Sequence, residues 1–334
     1  MKKINIDAVS NICKNIVKVK VKNYNLNPLV LGFYITLRCN LKCLYCDYPK
    51  KSVKELGTEE TIKLLEITRK KVPAINITGG EPLLRDDIVE IVRKCKNLKY
   101  LPVTIFTNSL LLEKRERILD YVDFLFTSLD NLNEEKYDRI TQVKGSAKKI
   151  KNNIEKYSKL QEKKDFVMDV NCVINAGNLD DVLDLAEFVF DNNTSFSVEP
   201  QISFSSGLPS KDLVGNEKYK YVIDELIKLK KRKNPILNSL GYLRNIKNFS
   251  PFNCHPFLIP RVFPNGDLFY PCGELGMVAG NLLIEGSWDK TYRKGVGKFG
   301  TEFKCSNRCH YSCYVEPSIF IEKPMSLLRE LLKY

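Results

Sequence analysis

The sequence contains very little histidine, with two residues in a chain of 334. Catalytic zinc sites and Ser-His-Asp triads use histidine as ligand or base, so its scarcity argues against both classes. No uncharged apolar run reaches the ~18 residues that a membrane span needs. Six lysines interrupt the first 25 residues, which therefore lack the continuous apolar core of a signal peptide. We expect a cytoplasmic location.

Cysteine, in contrast, is abundant, with eleven residues. In a reducing compartment such thiols are free or bind metals, and thiolate ligands favour iron–sulfur clusters or zinc. Three isolated cysteines lie on the apolar faces of predicted helices or strands and are expected to act as small buried hydrophobes. The cysteines form a first group, a second group and an isolated set: Cys39, Cys43 and Cys46; Cys254, Cys272, Cys305, Cys309 and Cys313; and Cys13, Cys95 and Cys172.

Between residues 32 and 201, six short apolar runs alternate with amphipathic helical patterns. This alternation predicts parallel strands joined by helices, in an α/β sheet or barrel. The predicted strands are Phe33–Arg38, Ile75–Thr78, Val103–Asn108, Phe124–Asp130, Val167–Ile174 and Phe196–Gln201. The predicted helices include Thr58–Lys71, Asp86–Cys95, Lys148–Glu162 and Leu179–Phe190.

Along these strands one parity of side chains is apolar and the other is largely polar. A packed parallel barrel buries both faces and should be apolar throughout. The polar parity therefore predicts a ligand-filled interior, with an open sheet and solvent-facing positions as the alternative. Polar side chains of the last two strands are candidates for substrate contacts, or else ordinary strand-end groups: Asp169, Asn171, Glu199 and Gln201.

The first cysteine group follows the first predicted strand with the spacing C-x3-C-x2-C. Chemistry in parallel α/β folds usually lies at this end of the strands. A structural zinc site needs four protein ligands, whereas this loop supplies three and has no histidine nearby. Three thiolates suit a cubane [4Fe–4S] cluster with one iron open to an outside ligand. A zinc site completed by a distant cysteine is the alternative.

Together with its neighbouring motifs, this loop resembles the radical S-adenosylmethionine (radical SAM) superfamily. Tyr45 stands in the aromatic position of the cysteine loop, and Gly79-Gly80-Glu81-Pro82 after the second strand is similar to the GGEP segment of that family. Thr107-Asn108-Ser109 resembles the family's T-N-G turn, with Ser in place of Gly. The resemblance implies a partial (β/α)6 TIM-type barrel with the cluster at its carboxyl-terminal mouth.

The resemblance also implies the roles of the cofactors. SAM would bind the open iron, the GGEP segment would contact its amino group, and Ser128 and Arg139 would contact its ribose and carboxylate. Gly79 and Gly80 would let the backbone approach the ligand closely, and Glu81 would accept from the ammonium group. One-electron reduction, from a reductant such as ferredoxin or flavodoxin, would cleave SAM to methionine and a 5′-deoxyadenosyl radical.

The second cysteine group surrounds a predicted hairpin. Asn265-Gly266-Asp267 lies between two apolar runs and would bring Cys254 and Cys272 to the base of one β-hairpin. Five grouped thiols suit a fully ligated iron–sulfur cluster. Residues 254–313 resemble the SPASM/twitch extension of radical SAM enzymes, which implies one auxiliary [4Fe–4S] cluster. Which two of Cys305, Cys309 and Cys313 complete its ligands stays open, and a zinc site with His255 or His310 is the alternative.

The composition, with 43% hydrophobic and 28% charged residues, is that of a globular chain with one large and one small domain. We expect a basic amphipathic segment over 1–30, the barrel over 31–205, a helical linker over 206–250 and a small cysteine-rich auxiliary-cluster domain over 251–334. The net charge of +13 is concentrated in residues 1–25 and 211–247. The basic amino-terminal segment suits an acidic peptide or a membrane surface, and no nucleic-acid partner is expected.

The leading functional hypothesis is therefore a radical SAM oxidoreductase. It would abstract hydrogen from a peptide side chain or a small metabolite, with the auxiliary cluster assisting. A lipid substrate is an alternative, because about 30 residues before the barrel leave no room for a separate leader-binding domain. The other hypotheses are a non-catalytic iron–sulfur electron carrier and a zinc-stabilised binding module. The GGEP segment and the polar interior argue against a carrier.

Overall fold

The computed structural model describes residues 6–23, 25–203, 206–302, 305 and 309–331. Nine strands form one sheet: β1 (Val30–Thr36), β2 (Ala74–Gly79), β3 (Val103–Thr107), β4 (Phe124–Ser128), β5 (Val167–Ile174), β6 (Ser195–Pro200), β7 (Arg261–Val262), β8 (Asp267–Phe269) and β9 (Val278–Asn281). The helices in these residues are α1 (Ile6–Lys20), α2 (Thr58–Arg69), α3 (Ile88–Asn97), α4 (Glu134–Thr141), α5 (Ser146–Ser158), α6 (Gln161–Lys164), α7 (Val182–Asp191), α8 (Glu217–Lys231), α9 (Leu240–Lys247), α10 (Leu282–Glu285), α11 (Trp288–Phe299), α12 (Ser312–Glu322) and α13 (Pro324–Leu331).

The first six strands are all parallel and lie in chain order, β6-β5-β4-β3-β2-β1. Each strand thus pairs with its predecessor and returns through a connection that carries helical structure, which is the construction of a barrel. The predicted fold class, a partial (β/α)6 TIM-type barrel, is confirmed. All six predicted strands are present, and β5 has the predicted limits.

The helices cover the sheet through apolar stripes at helical spacing. In α3, Ile88, Ile91, Val92 and Cys95 are completely buried at positions i, i+3, i+4 and i+7. Cys95 and Cys172 are buried, as expected for inert thiols. The same expectation for Cys13 is wrong, since this residue is exposed.

The error at Cys13 has a physical reason in α1. This helix carries apolar residues on two faces, so the pattern alone does not identify the buried one. The inward face contains Ile12, Ile16 and Val19, which pack against Leu258 and its neighbours. Cys13 lies on the opposite face.

The predicted hairpin is formed by β7 and β8, which are antiparallel and turn at Gly266 with a φ of +86°. Strand β7 also pairs in parallel with β1, so the hairpin extends the barrel sheet.

Helix α8, in the middle of the predicted linker, buries Tyr219, Val222 and Leu226 in the same core. The limits of the four predicted segments stay predictions. None of the described helices has the length and apolarity to cross a lipid bilayer.

Candidate functional site

The first cysteine group lies on the loop after β1, at the carboxyl end of the parallel sheet. Two backbone hydrogen bonds attach this loop to the last turn of α4: the Lys42 N–H donates to the Thr141 carbonyl, and the Leu44 N–H donates to the Ile140 carbonyl, both at 3.0 Å. The loop also closes on itself, because the Cys46 N–H donates to the Cys43 carbonyl. The cysteine loop is therefore held in place by the protein backbone.

The three thiols of this loop are partly buried and lie close enough to influence one another. Burial raises the pKa of Cys39 to about 11, with Glu81 and Cys46 contributing further. Burial also raises the pKa of Cys43, and the neighbouring charges of Asp130, Cys46 and Cys39 add to the shift. A bound cation of high charge would offset these shifts, because metal coordination stabilises thiolates.

The chemistry of the donor set bears on which group this loop would hold. Among the described residues, no group of three or more Cys, His, Asp or Glu side chains is arranged to hold one metal ion. A structural zinc site needs four protein ligands, whereas three thiolates leave one iron of a [4Fe–4S] cube open. The donor set, three thiolates of one loop, therefore suits the cluster that the sequence predicts.

Glu81, from the loop after β2, connects this site to the next strand. Its buried carboxylate accepts hydrogen bonds from the Thr107 hydroxyl and the Asn108 N–H, both at 2.7 Å, and from the Leu83 N–H at 2.9 Å. Burial raises its pKa to about 7 despite these donors. The Asn108 side chain in turn donates to Asn40 at 2.8 Å, beside Cys39. The two sequence motifs after β2 and β3 thus meet directly at the cysteine loop.

The two glycines before Glu81 are required by the chain's own backbone. Gly79 has a φ of +138°, and a Cβ there would lie 2.0 Å from the Thr36 carbonyl oxygen. A Cβ on Gly80 would lie 2.2 Å from the Arg38 carbonyl oxygen. The sequence predicts that the backbone of these glycines lies close to a ligand. The close contact in the structure is instead with the backbone at the end of β1. Their contact with SAM stays a prediction.

Asp130, at the end of β4, is an organising residue that the sequence reasoning noted only as a polar strand position. Its buried carboxylate accepts from the Tyr45 hydroxyl and, at 2.8 Å, from the Val173 N–H of β5. Burial raises the pKa of Asp130 to about 6. Tyr45 is thus turned into the protein, where it orients the cysteine loop against β4 and β5. The sequence did contain a signal for this role, because a charged residue at the end of a predicted, mostly apolar strand indicates a buried carboxylate with hydrogen-bond partners.

The two remaining SAM candidates differ in placement. Ser128 is half-buried at the end of β4, opposite Asn171 of β5. Arg139 is exposed on α4, and its Nε donates to the Glu135 carbonyl of its own helix at 3.3 Å. The structure therefore puts Ser128 at the carboxyl end of the sheet, whereas the contact that Arg139 makes among the described residues lies within its own helix.

The structure brings the cysteines of the second group together. Burial raises the pKa of Cys254, and the charges of Cys309, Cys272, Cys305 and Cys313 each add to that shift, so these four lie within electrostatic range of Cys254. Cys313 lies in the first turn of α12, where a helix amino terminus favours a thiolate.

Both histidines near this group have other partners. His255 Nε2 lies 2.7 Å from Glu322, and His310 Nδ1 lies 2.8 Å from the Asn245 side-chain oxygen. These contacts hold the imidazoles in place beside the cysteines. A histidine that binds a metal commonly has such a second partner, so the zinc site with His255 or His310 stays the alternative.

A cavity of about 280 Å³ lies between the two cysteine groups. Cys46 and Cys313 both line it, so the cavity touches each group. Aromatic side chains form much of its wall, and polar groups from β2 and β6 point into it. These lining residues include Tyr34, Tyr45, Tyr48, Phe106, Tyr311, Asn76, Thr78, Glu199 and Gln201.

Sequence reasoning missed Arg261 and Glu274, which form a buried ion pair in the wall of this cavity. The Arg261 guanidinium also lies over the rings of Tyr314 and Tyr34, with centroid distances of 4.9 and 5.4 Å. Its Nη2 lies 3.9 Å from the sulfur of Cys313. The sequence did contain a signal for this pair, namely a single arginine in the apolar run before the hairpin. Arginine is almost never buried without a partner, so its presence in a buried strand indicates a nearby acidic residue.

The four substrate candidates separate into two pairs. Glu199 and Gln201 line the cavity, and Ser312 donates to Glu199 from the start of α12. Burial raises the pKa of Glu199. Asp169 and Asn171 are not among the residues that line this cavity; both contact the Ser197 hydroxyl nearer the amino-terminal end of β5 and β6. The polar side chains of the strands therefore line this cavity only in part, and the others hydrogen-bond to neighbouring strands.

Asp169 makes a testable contribution to stability. It is completely buried, one of its carboxylate oxygens has no hydrogen-bond partner, and burial raises its pKa to about 7 from 3.8. The folded protein therefore keeps a proton that the unfolded chain releases, and stability is lost as pH rises from about 4 to about 7. We expect Asp169→Asn to stabilise the protein at pH 8 by roughly 2–4 kcal/mol, and to change stability little at pH 4.

Urea unfolding of both proteins at pH 4 and pH 8 measures this difference. Asp180→Asn is the matched control, because Asp180 is exposed and the Lys218 ammonium beside it lowers its pKa. An Asp169→Asn difference that is equal at both pH values would contradict the prediction.

Comparison with known proteins agrees with this geometry. Residues 33–189 match the family model described as the Radical SAM superfamily. Among curated relatives, GTP 3',8-cyclase of Lactiplantibacillus plantarum is 37% identical over 172 residues, which cover 48% of this chain and 50% of that protein. The probable GTP 3',8-cyclase of Methanocaldococcus jannaschii is 34% identical over 167 residues, covering 48% and 55%. The chain thus spans about half the length of these relatives.

Solved structures share the fold. Streptococcus suis SuiB bound to S-adenosylmethionine superposes with a TM-score of 0.60 at 21% identity, covering 75% of this chain and 62% of SuiB. Native anSMEcpe with bound AdoMet gives a TM-score of 0.59 at 18% identity, covering 80% of each chain. At these identities the likeness establishes the fold alone.

Proposed function

The chain contains a domain of the radical SAM superfamily, residues 33–189, and from that premise we propose that it is an enzyme that cleaves S-adenosylmethionine to start a radical reaction on a small-molecule substrate. A [4Fe–4S] cluster and SAM are the cofactors that this family uses. When bound, they supply a radical that abstracts hydrogen. The observation that carries the proposal is the meeting of the cysteine loop, Glu81 and Asp130 at one end of the parallel sheet, beside an aromatic cavity.

The protein's own residues hold and orient the cofactors in this proposal. Cys39, Cys43 and Cys46 hold the cluster. The GGEP segment would contact the ammonium group of SAM, and the buried carboxylate of Glu81 holds this segment against Thr107 and Asn108. The Tyr45–Asp130 hydrogen bond keeps the loop fixed, which matters because small displacements of reacting groups slow catalysis strongly.

The cavity between the two cysteine groups is the proposed substrate site. Its volume of about 280 Å³ is at the low end for small-molecule pockets and suits a compact metabolite better than an extended peptide. Glu199 and Gln201 offer a hydrogen-bond acceptor and an amide to orient it. The second cysteine group borders the same cavity through Cys313, so we propose that an auxiliary [4Fe–4S] cluster assists there.

GTP is the first substrate to test, because the curated relatives are named GTP 3',8-cyclase. Among the residues that the structure describes, the charged groups lining the cavity are Arg261, Glu199 and Glu274, so two carboxylates face one guanidinium there. This balance does not favour a triphosphate inside the cavity. If GTP is the substrate, we expect its base and ribose to occupy the cavity and its phosphates to extend outward.

The test is anaerobic reconstitution with iron and sulfide, followed by reduction in the presence of SAM. We expect release of 5′-deoxyadenosine under dithionite, and faster release when the substrate is added. GTP, a nucleoside without phosphates and a short acidic peptide are compared as additions. Reconstituted protein that binds iron and sulfide but never cleaves SAM would refute the enzyme and leave the electron-carrier alternative. A reductant such as ferredoxin or flavodoxin would replace dithionite in the cell.

A further inference from the structure

Helix α1 has an exposed apolar stripe on the side that faces away from the protein. Ile6, Val9 and Val17 of α1 and Val21 in the turn that follows it are 80%, 47%, 61% and 68% exposed. Together with exposed Cys13 they recur every three or four residues, so they form one continuous face. At 1.5 Å per residue this stripe is about 22 Å long. Isolated exposed apolar residues are ordinary, but a continuous row of five marks an interaction surface.

The opposite face of the same helix is firmly attached to the protein. Asn15 is buried and both donates to and accepts from the backbone of Asn27, at 2.8 Å in each case. Ile12 and Ile16 pack against the small core that includes Leu26 and Leu258. Because this inward face anchors the helix, the outward stripe is presented on a rigid surface.

Basic residues accompany the stripe. Lys14 and Lys20 of α1 are exposed and lie beside or within it, whereas Asp7 is the only acidic residue in the first 25 positions. Arg69 of α2 lies 3.3 Å from Asp7, so an arginine offsets that single negative charge. An apolar row with lysines at its border is the pattern of a helix that lies in the plane of a membrane interface.

We propose that the outward face of α1 docks this protein on the surface of a bilayer that contains anionic lipids. The valine and isoleucine side chains would enter the boundary between headgroups and acyl chains, and the lysines would contact the lipid phosphates. These aliphatic side chains have no hydrogen-bonding groups for the backbone of an acidic peptide, which favours lipid as the occupant. The proposal is independent of the reaction that the cavity supports.

Sedimentation of the full reconstituted protein with vesicles tests this docking. We expect binding to vesicles of phosphatidylcholine with phosphatidylglycerol, and far weaker binding to phosphatidylcholine alone. High salt should weaken binding, since the Debye length falls to about 3 Å at 1 M. Val9→Asn with Val17→Asn should lower the partition coefficient by about tenfold or more, from loss of two buried aliphatic groups.

Two control variants test whether binding depends on this surface or on exposed apolar and charged residues in general. Ile284→Asn removes an apolar side chain that is 83% exposed on α10, and it should leave binding unchanged. Lys148→Glu with Lys149→Glu reverses two exposed charges on α5 and should also leave binding unchanged, whereas Lys14→Glu with Lys20→Glu should abolish it. The proposal would be overturned if the protein did not bind vesicles, or if the control variants lost binding to the same extent. It would also be overturned if the protein formed dimers without lipid and Val17→Asn dissociated them.

Discussion

Cys43→Ala is expected to lower 5′-deoxyadenosine formation by about 100-fold or more, since even changes outside the ligand shell of a metal site cost 10–100-fold. Cys43 is partly buried against the hydrophobic core and is close to both Cys39 and Cys46. Its loop is fixed by backbone hydrogen bonds to α4, so no other cysteine can replace it without unfolding the loop. Chromatography of the products from SAM and dithionite measures the effect.

The control is Cys13→Ala, which removes an exposed thiol on α1 and should leave both iron content and SAM cleavage unchanged. Iron analysis of the two variants gives a second measurement that does not depend on activity. The Cys43→Ala protein should lose about four iron atoms per chain and the control none. Normal 5′-deoxyadenosine formation by Cys43→Ala would reject the assignment of this loop.

The barrel could be predicted from the sequence because its signals are local. Each strand is a short apolar run next to a helical pattern, and β5 was placed with its correct limits. The strand ends were less accurate where pairing decides them. Strand β1 begins at Val30, before the predicted Phe33, because Val30 pairs with Ala74 of β2. Such a pairing joins residues far apart in the chain, which periodicity does not reveal.

The site could be predicted only as a set of separate motifs. The cysteine spacing and the GGEP segment indicated two loops that the structure places side by side, but the contacts between the motifs were not visible in the sequence. Asp130 accepts from Tyr45, 85 positions earlier, and Arg261 pairs with Glu274 across the hairpin. These are buried polar groups whose partners come from other elements, so only the folded structure identifies them.

Cys272→Ala is expected to remove the auxiliary cluster and leave the first one in place. Cys272 lies after β8 and is buried, and this burial raises the pKa of its thiol. The backbone N–H groups of Leu275 and Glu274 have a smaller, opposite effect and lower the pKa. Arg261 lowers the pKa further. These donors would stabilise the thiolate that a cluster needs, so we expect Cys272 to be a ligand of the proposed auxiliary cluster.

Iron content should fall from about eight to about four atoms per chain in Cys272→Ala. SAM cleavage should partly persist, because the loop of Cys39, Cys43 and Cys46 lies on a different element, whereas conversion of the substrate should stop. The triple alanine variant of that loop provides the reciprocal pattern, with the auxiliary iron kept and SAM cleavage lost. Unchanged iron content in Cys272→Ala, or full substrate turnover, would show that the second cysteine group holds no catalytic cluster.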